Sequence, residues 1–308
     1  MEKLSDGWHR PLCPREIRIS HQNVCSSSIY AIERSIQRTG SPEICVFTEF
    51  AGTKSSEEGP EIVHITTPNL GYVGFELRPP LGGGRGVALI WANTPGIGIE
   101  VKLVEPCDMP EGINDCILAE VQVTGAAPFH LIGCYNALSG PHRDDYKRLF
   151  HNLHQGWTTA SGRELKYDLR STVIIGDLNT PIRTGLYSGM PVDVNGEPIL
   201  RLKTPWSPTH VRGNCLDVAL AGPELNCQGA IIADPTCRDH VPIVLRVEPP
   251  LAVADHPQRK PQTRLPRGPR TKREVALYRH LYCRELEKLA DLRSKCIHAN
   301  QLAATAQL

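Results

Sequence analysis

Short apolar and alternating runs recur through the first 248 residues, each bounded by turn residues, and they predict strands. Ile17-Arg18-Ile19 alternates. Ile44 to Phe47 is continuously apolar, as is Val87 to Trp91, which directly follows the glycine-rich Gly82 to Gly86. Ile99 to Leu103 and Leu118 to Val123 alternate again. Phe129 to Tyr135, Thr172 to Ile175, Leu216 to Leu220 and Ile243 to Val247 complete the series. Two segments carry helical spacing instead. On Ser28–Arg38 the stripe is Ile29, Ala31, Ile32 and Ile36, with N-cap candidates at Ser26 to Ser28 and a stop at Gly40. On Asp144–Trp157 it is Tyr146, Leu149, Phe150 and Leu153. Many strands with few interspersed helices predict an α/β sandwich rather than a regular parallel array.

The pattern breaks at residues 249–271. Pro249, Pro250, Pro257, Pro261, Pro266 and Pro269 interrupt any regular element, and seven Lys/Arg fall between Arg259 and Arg273 with no acid among them. Helical spacing returns over 272–297, with Tyr278, Leu281, Tyr282, Leu286 and Leu289 on one stripe. The expected organisation is an N-terminal extension (1–14), a folded domain (15–248), a Pro/Arg-rich basic linker (249–271) and a C-terminal helical spacer (272–308).

Charge follows the same division. The formal net charge of +1 is the sum of 22 Lys/Arg against 29 Asp/Glu in residues 1–255 and 12 against 4 in residues 256–308. An acidic domain with a basic tail points to nucleic acid or another anionic surface. No apolar run reaches the roughly 18–20 residues of a membrane span. Met1 to Arg10 is polar and lacks the apolar core of a signal peptide. No membrane partner is therefore expected, and the expected location is intracellular and nuclear. The 11 cysteines are odd in number and form no C-x-x-C pair, which fits free thiols in a reducing compartment, with zinc ligation as the alternative.

Polar residues cluster where the predicted strands end. Glu49 follows Ile44–Phe47, Asp177 and Asn179 follow Thr172–Ile175, Asp217 lies in Leu216–Leu220, and Asp239-His240 precedes Ile243. Singly, each has a plain reading: a solvated turn residue, an Asx-turn at Asp177-Leu178-Asn179, or an outward-facing strand residue. Together and in order they carry more. The succession of Ile19 to Asn23, Ile44 to Phe50, Gly82 to Ile90, Gly133-Cys134-Tyr135, Gly176-Asp177-Leu178-Asn179, Leu216-Asp217 and Asp239-His240 resembles the endonuclease/exonuclease/phosphatase superfamily. Val194 to Leu200, Ser207 to His210 and Gly213 to Asp217 bring it closer to the apurinic-type endonuclease domain of non-LTR retrotransposons. The resemblance covers about residues 15–248. The sequence departs from the family pattern at Gln22, at Phe47-Thr48 and at Arg238.

The resemblance implies a DNase I-like, four-layered sandwich of two mostly antiparallel β-sheets flanked by helices. It implies a divalent-metal-dependent phosphodiesterase, a DNA-nicking endonuclease that leaves a 3′-hydroxyl. Mg²⁺, with Mn²⁺ as a substitute, is the implied cofactor, held by Glu49, Asn23 and Asp239. Such a hard cation takes oxygen ligands, one or two of them carboxylates. Asp177 is expected to orient or deprotonate the attacking water. Asn179 and Tyr135 are expected to donate to the phosphate, and His240 to stabilise its developing charge, with Asp217 paired to His240. Arg238 and Thr209 are expected to border the substrate. His21 and His210 lie near these motifs but read as ordinary hydrogen-bonding histidines. The expected partners are DNA and, in a larger retrotransposon polyprotein, a reverse transcriptase. Two alternatives stand beside this one: a phosphatase or phosphodiesterase acting on a non-DNA substrate, and an inactive relic that binds nucleic acid.

Overall fold

The structure is a computed structural model. It describes residues 16–25, 29–50, 61–78, 86–93, 98–104, 115–136, 145–159, 162–179, 190–205, 207–232 and 239–252. The chain divides into two units, Met1–Val253 and Ala254–Leu308. The second unit, with the expected spacer and most of the linker, lies outside the described residues, as do residues 1–14, Ser26 to Ser28, Gly82 to Arg85 and Arg238.

In chain order the elements are β1 (Ile17–Asn23), α1 (Ile29–Arg38), β2 (Ile44–Thr48), β3 (Glu61–Thr66), β4 (Tyr72–Arg78), β5 (Val87–Ala92), β6 (Ile99–Leu103), β7 (Cys116–Val123) and β8 (Phe129–Tyr135). They continue with α2 (Asp145–Gln155), β9 (Trp157–Thr158), β10 (Glu164–Leu165), β11 (Thr172–Asp177), β12 (Arg201–Leu202), β13 (Asp217–Ala221), β14 (Asn226–Ile231) and β15 (Ile243–Glu248). Two sheets account for nearly all the strands: a seven-stranded one, β14-β15-β1-β2-β5-β4-β3, and a six-stranded one, β12-β13-β11-β8-β7-β6. Each is antiparallel except for one central pair, β1 with β2 and β8 with β11. A parallel pair needs a crossover rather than a hairpin. α1 and α2 lie within those two crossovers.

Side-chain alternation sorts each strand into two faces. Ile17, Ile19, Ile44, Val46, Val87, Leu89, Leu245 and Val247 of the seven-stranded sheet meet Ile117, Val121, Phe129, Leu131, Val173, Ile175 and Ala219 of the six-stranded sheet in one core. The opposite faces bury the helices. Ile32 and Ile36 of α1 pack with Cys45, Phe47, Ala88 and Ile90. Leu149, Phe150 and Leu153 of α2 pack with Leu118, Ile132, Ile174, Val218 and Leu220. The result is helix, sheet, sheet, helix, the four-layered sandwich that the sequence leads one to expect. At Gly133 the facing sheet comes close: a Cβ atom there would lie 2.7 Å from Val46 Cγ1. The six described cysteines, Cys25, Cys45, Cys116, Cys134, Cys215 and Cys227, are free thiols. Among the described residues no helix is long and apolar enough to cross a membrane.

Candidate active site

The same alternation that builds the core ends in polar residues at one rim of it. β1 carries Ile17 and Ile19 inward and then His21 and Asn23. β2 carries Ile44 and Val46 inward and then Thr48. β11 carries Val173 and Ile175 and then Asp177, and β8 ends on Tyr135. β13 runs the other way and begins with Asp217 before Ala219. Register aligns them: Asp177 lies beside both Tyr135 and Asp217 in one row of the six-stranded sheet, and Asn23 lies beside Thr48 in the other sheet. The period-2 geometry of a strand therefore brings these side chains into the mouth of the inter-sheet gap, on rigid supports.

Three residues just past these strand ends have left-handed backbone: Cys25 (φ 48°), Glu49 (φ 52°) and Asn179 (φ 48°). Such a conformation costs a non-glycine residue about 1–3 kcal/mol and is concentrated at functional sites. Asn tolerates it best. At Asn179 it closes an Asx-turn in which the Asn179 backbone N–H donates to Asp177 Oδ1 at 2.9 Å. The Asn179 side-chain amide donates to the Asn136 carbonyl at 2.8 Å, and Asn136 donates to the Leu178 carbonyl at 2.9 Å. The loop after β11 is thus fixed by its own amides.

The other contacts join the two sheets. Asn23 Nδ2 donates to Asp177 Oδ2 at 2.9 Å. His240 Nδ1 lies 2.8 Å from Asp217 Oδ2, and its Nε2 lies 3.9 Å from Asp177 Oδ2. His240 is held at its backbone too, since Gln22 Nε2 donates to its carbonyl at 3.2 Å and Gln22 in turn accepts from the Ser35 hydroxyl. Gln22, a departure from the family pattern, thereby anchors the loop that presents His240. His210 packs edge-on against His240, the ring centroids 4.8 Å apart. Thr209, expected at the border of the substrate, precedes β13 in the chain. It is fully buried, and its hydroxyl accepts from the backbone N–H groups of Leu216 and Asp217, each at 3.0 Å. It shapes the entry to β13 rather than facing solvent.

Electrostatics follow from this burial. Desolvation, reinforced by the neighbouring Asp217 charge, pushes Asp177 up from 3.8 to about 7, against the opposing pull of His240, Asn23 and Asn179. For His240, burial alone lowers the pKa, but the hydrogen bond and charge of Asp217, with Asp177 and Glu49, outweigh it and raise the imidazole above its usual 6.5. Burial lowers His210, and the His240 charge adds to that. Burial, then the charges of Glu49, Asp239 and Asp177, pushes the Cys25 thiol up to about 11.

The Cys25 Sγ lies 3.7 Å from Asp239 Oδ2. Glu49, Asp239 and the Asn23 amide make up a hard-oxygen donor set of the kind that suits a divalent cation. Asn23 Oδ1 also accepts from the Cys25 backbone N–H at 2.9 Å, which fixes the amide's direction. A second grouping adjoins it at Asp177. Asp177, Asp217 and His240, all buried, offer one ligand atom each within 4.8 Å of one another, an arrangement that can also hold a divalent metal. Sequence reasoning sets His21 aside as an ordinary hydrogen-bonding histidine and does not single out Asn136 or Cys25. His21 is fully buried with its Nδ1 3.6 Å from Asp217 Oδ1. Its position on the inward face of β1, two residues before Asn23, was the available signal.

No protein-family model matches the sequence, and no curated protein sequence matches it. Solved structures do show similarity. CdtB, the biologically active subunit of cytolethal distending toxin, is 14% identical at a TM-score of 0.49, covering 74% of this chain and 96% of that one. The inositol polyphosphate 5-phosphatase domain of SPsynaptojanin, in complex with inositol (1,4)-bisphosphate and a calcium ion, is 13% identical at a TM-score of 0.45, covering 90% and 92%. Sphingomyelinase C from Streptomyces griseocarneus is 10% identical at a TM-score of 0.39, covering 75% and 99%. The chemistry derived for this chain rests on its own residues.

Proposed function

We propose that this chain is a divalent-metal-dependent phosphodiesterase whose substrate is duplex DNA, nicked to leave a 3′-hydroxyl. One observation carries the reading: Asp177, raised to about 7, stands 3.9 Å from His240, itself raised by Asp217. A carboxylate near neutrality is suited to accept a proton from water at neutral pH, and an imidazolium beside it is suited to meet developing negative charge. In this account Asp177 takes the proton as the water oxygen bonds to phosphorus, and the bond from phosphorus to the 3′ oxygen breaks, that oxygen taking a proton from solvent to become the 3′-hydroxyl. His240 faces the charge on the phosphate oxygens, held in direction by Asp217. Tyr135, in the same row as Asp177, donates its hydroxyl to the phosphate in this account, and Asn179 donates its second amide hydrogen. Glu49, Asp239 and Asn23 are the residues that hold Mg²⁺, or Mn²⁺ in its place. When bound, that cation neutralises the phosphodiester and polarises it toward attack.

The choice of DNA rests on sequence. The seven Lys/Arg between Arg259 and Arg273 offer the phosphate-binding charge that an acidic domain lacks. The order of motifs favours a retrotransposon endonuclease as the origin of the chain. A substrate panel tests the reading. Purified protein with Mg²⁺ is presented with duplex DNA, RNA, inositol phosphates and a phospholipid. Nicking of DNA at a rate well above turnover of the others supports it, and selective release of phosphate from an inositol phosphate overturns it.

A further inference from the structure

His21 stands at the junction of the two sheets, fully buried. Its Nε2 lies 3.2 Å from the Thr48 hydroxyl on one side, and its Nδ1 lies 3.6 Å from Asp217 Oδ1 on the other. Neither His21 Nδ1 nor Asp217 Oδ1 has a hydrogen-bond partner among the described residues, and each faces the other. A buried donor or carboxylate oxygen left unpaired is costly. A slight closure of the 3.6 Å separation relieves both atoms at once.

One tautomer serves every atom involved. With its proton on Nδ1, the ring offers an N–H to Asp217 and an acceptor to the Thr48 hydroxyl. The other tautomer would set a lone pair against a carboxylate oxygen. Two imidazoles thus address one carboxylate, His240 at Oδ2 and His21 at Oδ1. They are not equivalent. His21 is fully buried and turns its other nitrogen to the Thr48 hydroxyl, whereas His240 turns its Nε2 toward Asp177. With the Thr209 hydroxyl accepting from its backbone N–H, Asp217 is held from three directions.

We propose that His21 is a positioning residue, resting on the phosphodiesterase reading: its Nδ1–H fixes Asp217 Oδ1 and so keeps Oδ2 aimed at His240 Nδ1. The two isosteric amides separate this from a merely structural role. In His21→Asn the amide nitrogen falls where Nδ1 was and can still donate to Asp217. In His21→Gln the amide falls nearer Nε2 and reaches Thr48 instead.

The test is proton NMR of the full-length, histidine-labelled protein at one pH, with the low-field His240 Nδ1–H signal assigned by its loss in His240→Gln. Wild type and His21→Asn are expected to show that signal, and His21→Gln to lose it. Thermal melting and circular dichroism confirm that the two variants are folded. In the nicking assay, His21→Gln is expected to lower kcat between about 10- and 100-fold with KM unchanged, and His21→Asn to stay near wild type. Equal behaviour of Asn and Gln in both readouts, or kcat losses that only follow melting temperature, overturns the proposal. So does absence of the signal from wild type. Should wild type show the signal yet leave every phosphodiester intact, the functional reading fails while the NMR comparison still decides the role of His21.

Discussion

Asn23 and Asp177 meet across the gap between the two sheets: the Asn23 amide donates to Asp177 Oδ2 at 2.9 Å, and both residues are buried. That bond favours the ionised carboxylate and opposes the desolvation that raises it. Asn23→Leu therefore removes a donor from a buried acid. The variant is expected to lose about 1–3 kcal/mol of stability at pH 8. Its activity is expected to move to higher pH, because Asp177 then ionises later. Urea unfolding and a kcat–pH profile check both.

Asp177 itself makes an opposite prediction for stability. Its folded pKa of about 7 exceeds the ordinary 3.8, so its contribution is fully present below pH 4 and lost as pH rises through 7. In protein stripped of divalent cations, Asp177→Asn is expected to match wild type at pH 4 and to melt higher at pH 8, while abolishing activity. Melting temperatures measured in EDTA across that range decide it. A wild-type melting point that holds steady relative to the variant from pH 4 to 8 would contradict the burial argument.

The Asp217–His240 pair is expected to set the alkaline limit of the proposed reaction. With a raised pKa, His240 contributes stability that is complete below pH 6.5 and lost as pH climbs through its folded value. Asp217→Asn removes the main partner that raises it and leaves burial to win. The alkaline limb of the kcat profile is expected to shift to lower pH, with a loss of roughly 10²–10⁴-fold in kcat. An unchanged limb would mean that His240 is not the group that titrates there.

Glu49 holds a left-handed backbone at φ 52° that glycine adopts freely. Glu49→Gly is expected to keep or slightly raise the melting temperature while weakening Mg²⁺ binding, as read by calorimetry. Glu49→Gln is expected to weaken Mg²⁺ binding without the gain in melting temperature. The two together separate backbone strain from ligand charge.

If the basic segment grips DNA, replacing Arg259, Lys260, Arg264 and Arg267 with Ala should flatten the salt dependence of binding. Every phosphate that is no longer neutralised by a cation changes the slope of log K against log[salt] by about 0.9. Binding isotherms at several salt concentrations measure it, and an unchanged slope removes the segment from the interface.

Much of the fold was legible because its central strands are apolar on both faces or alternate cleanly. Phe129–Tyr135 and Ile99–Leu103 have the predicted bounds, and most other predicted strands differ by one to three residues at an end. The strands that escaped are β3, β4 and β14, together with the two-residue β9, β10 and β12. β14 is Asn-Cys-Gln-Gly-Ala-Ile, too polar to announce itself, and β3 lies at a sheet edge with an exposed face. β4 contains Gly74, which sits against the β5 backbone where a Cβ would come 2.1 Å from the Leu89 carbonyl oxygen. The second helix ends at Gln155, short of the predicted Trp157, because Gly156 turns left-handed at φ 83°. At the site, the strand-end residues were readable one by one, since each closes an apolar run. Their pairing was not. That His21 faces Asp217, and that Gln22 anchors His240, depend on how two sheets stack, which no local pattern encodes. The burial of Thr209 was hidden for the same reason: a polar residue next to a motif gives no hint that its hydroxyl is buried on backbone amides.

The central claim is that this rim cleaves DNA with a divalent cation and Asp177. Its most direct test is nicking of supercoiled plasmid by the full-length protein, with Mg²⁺ and with EDTA, beside Asp177→Asn. The account predicts open-circular product only for wild type with Mg²⁺, with nicks that ligase or polymerase can use as 3′-hydroxyl ends. Equal nicking by Asp177→Asn, or nicking that persists in EDTA, would contradict it.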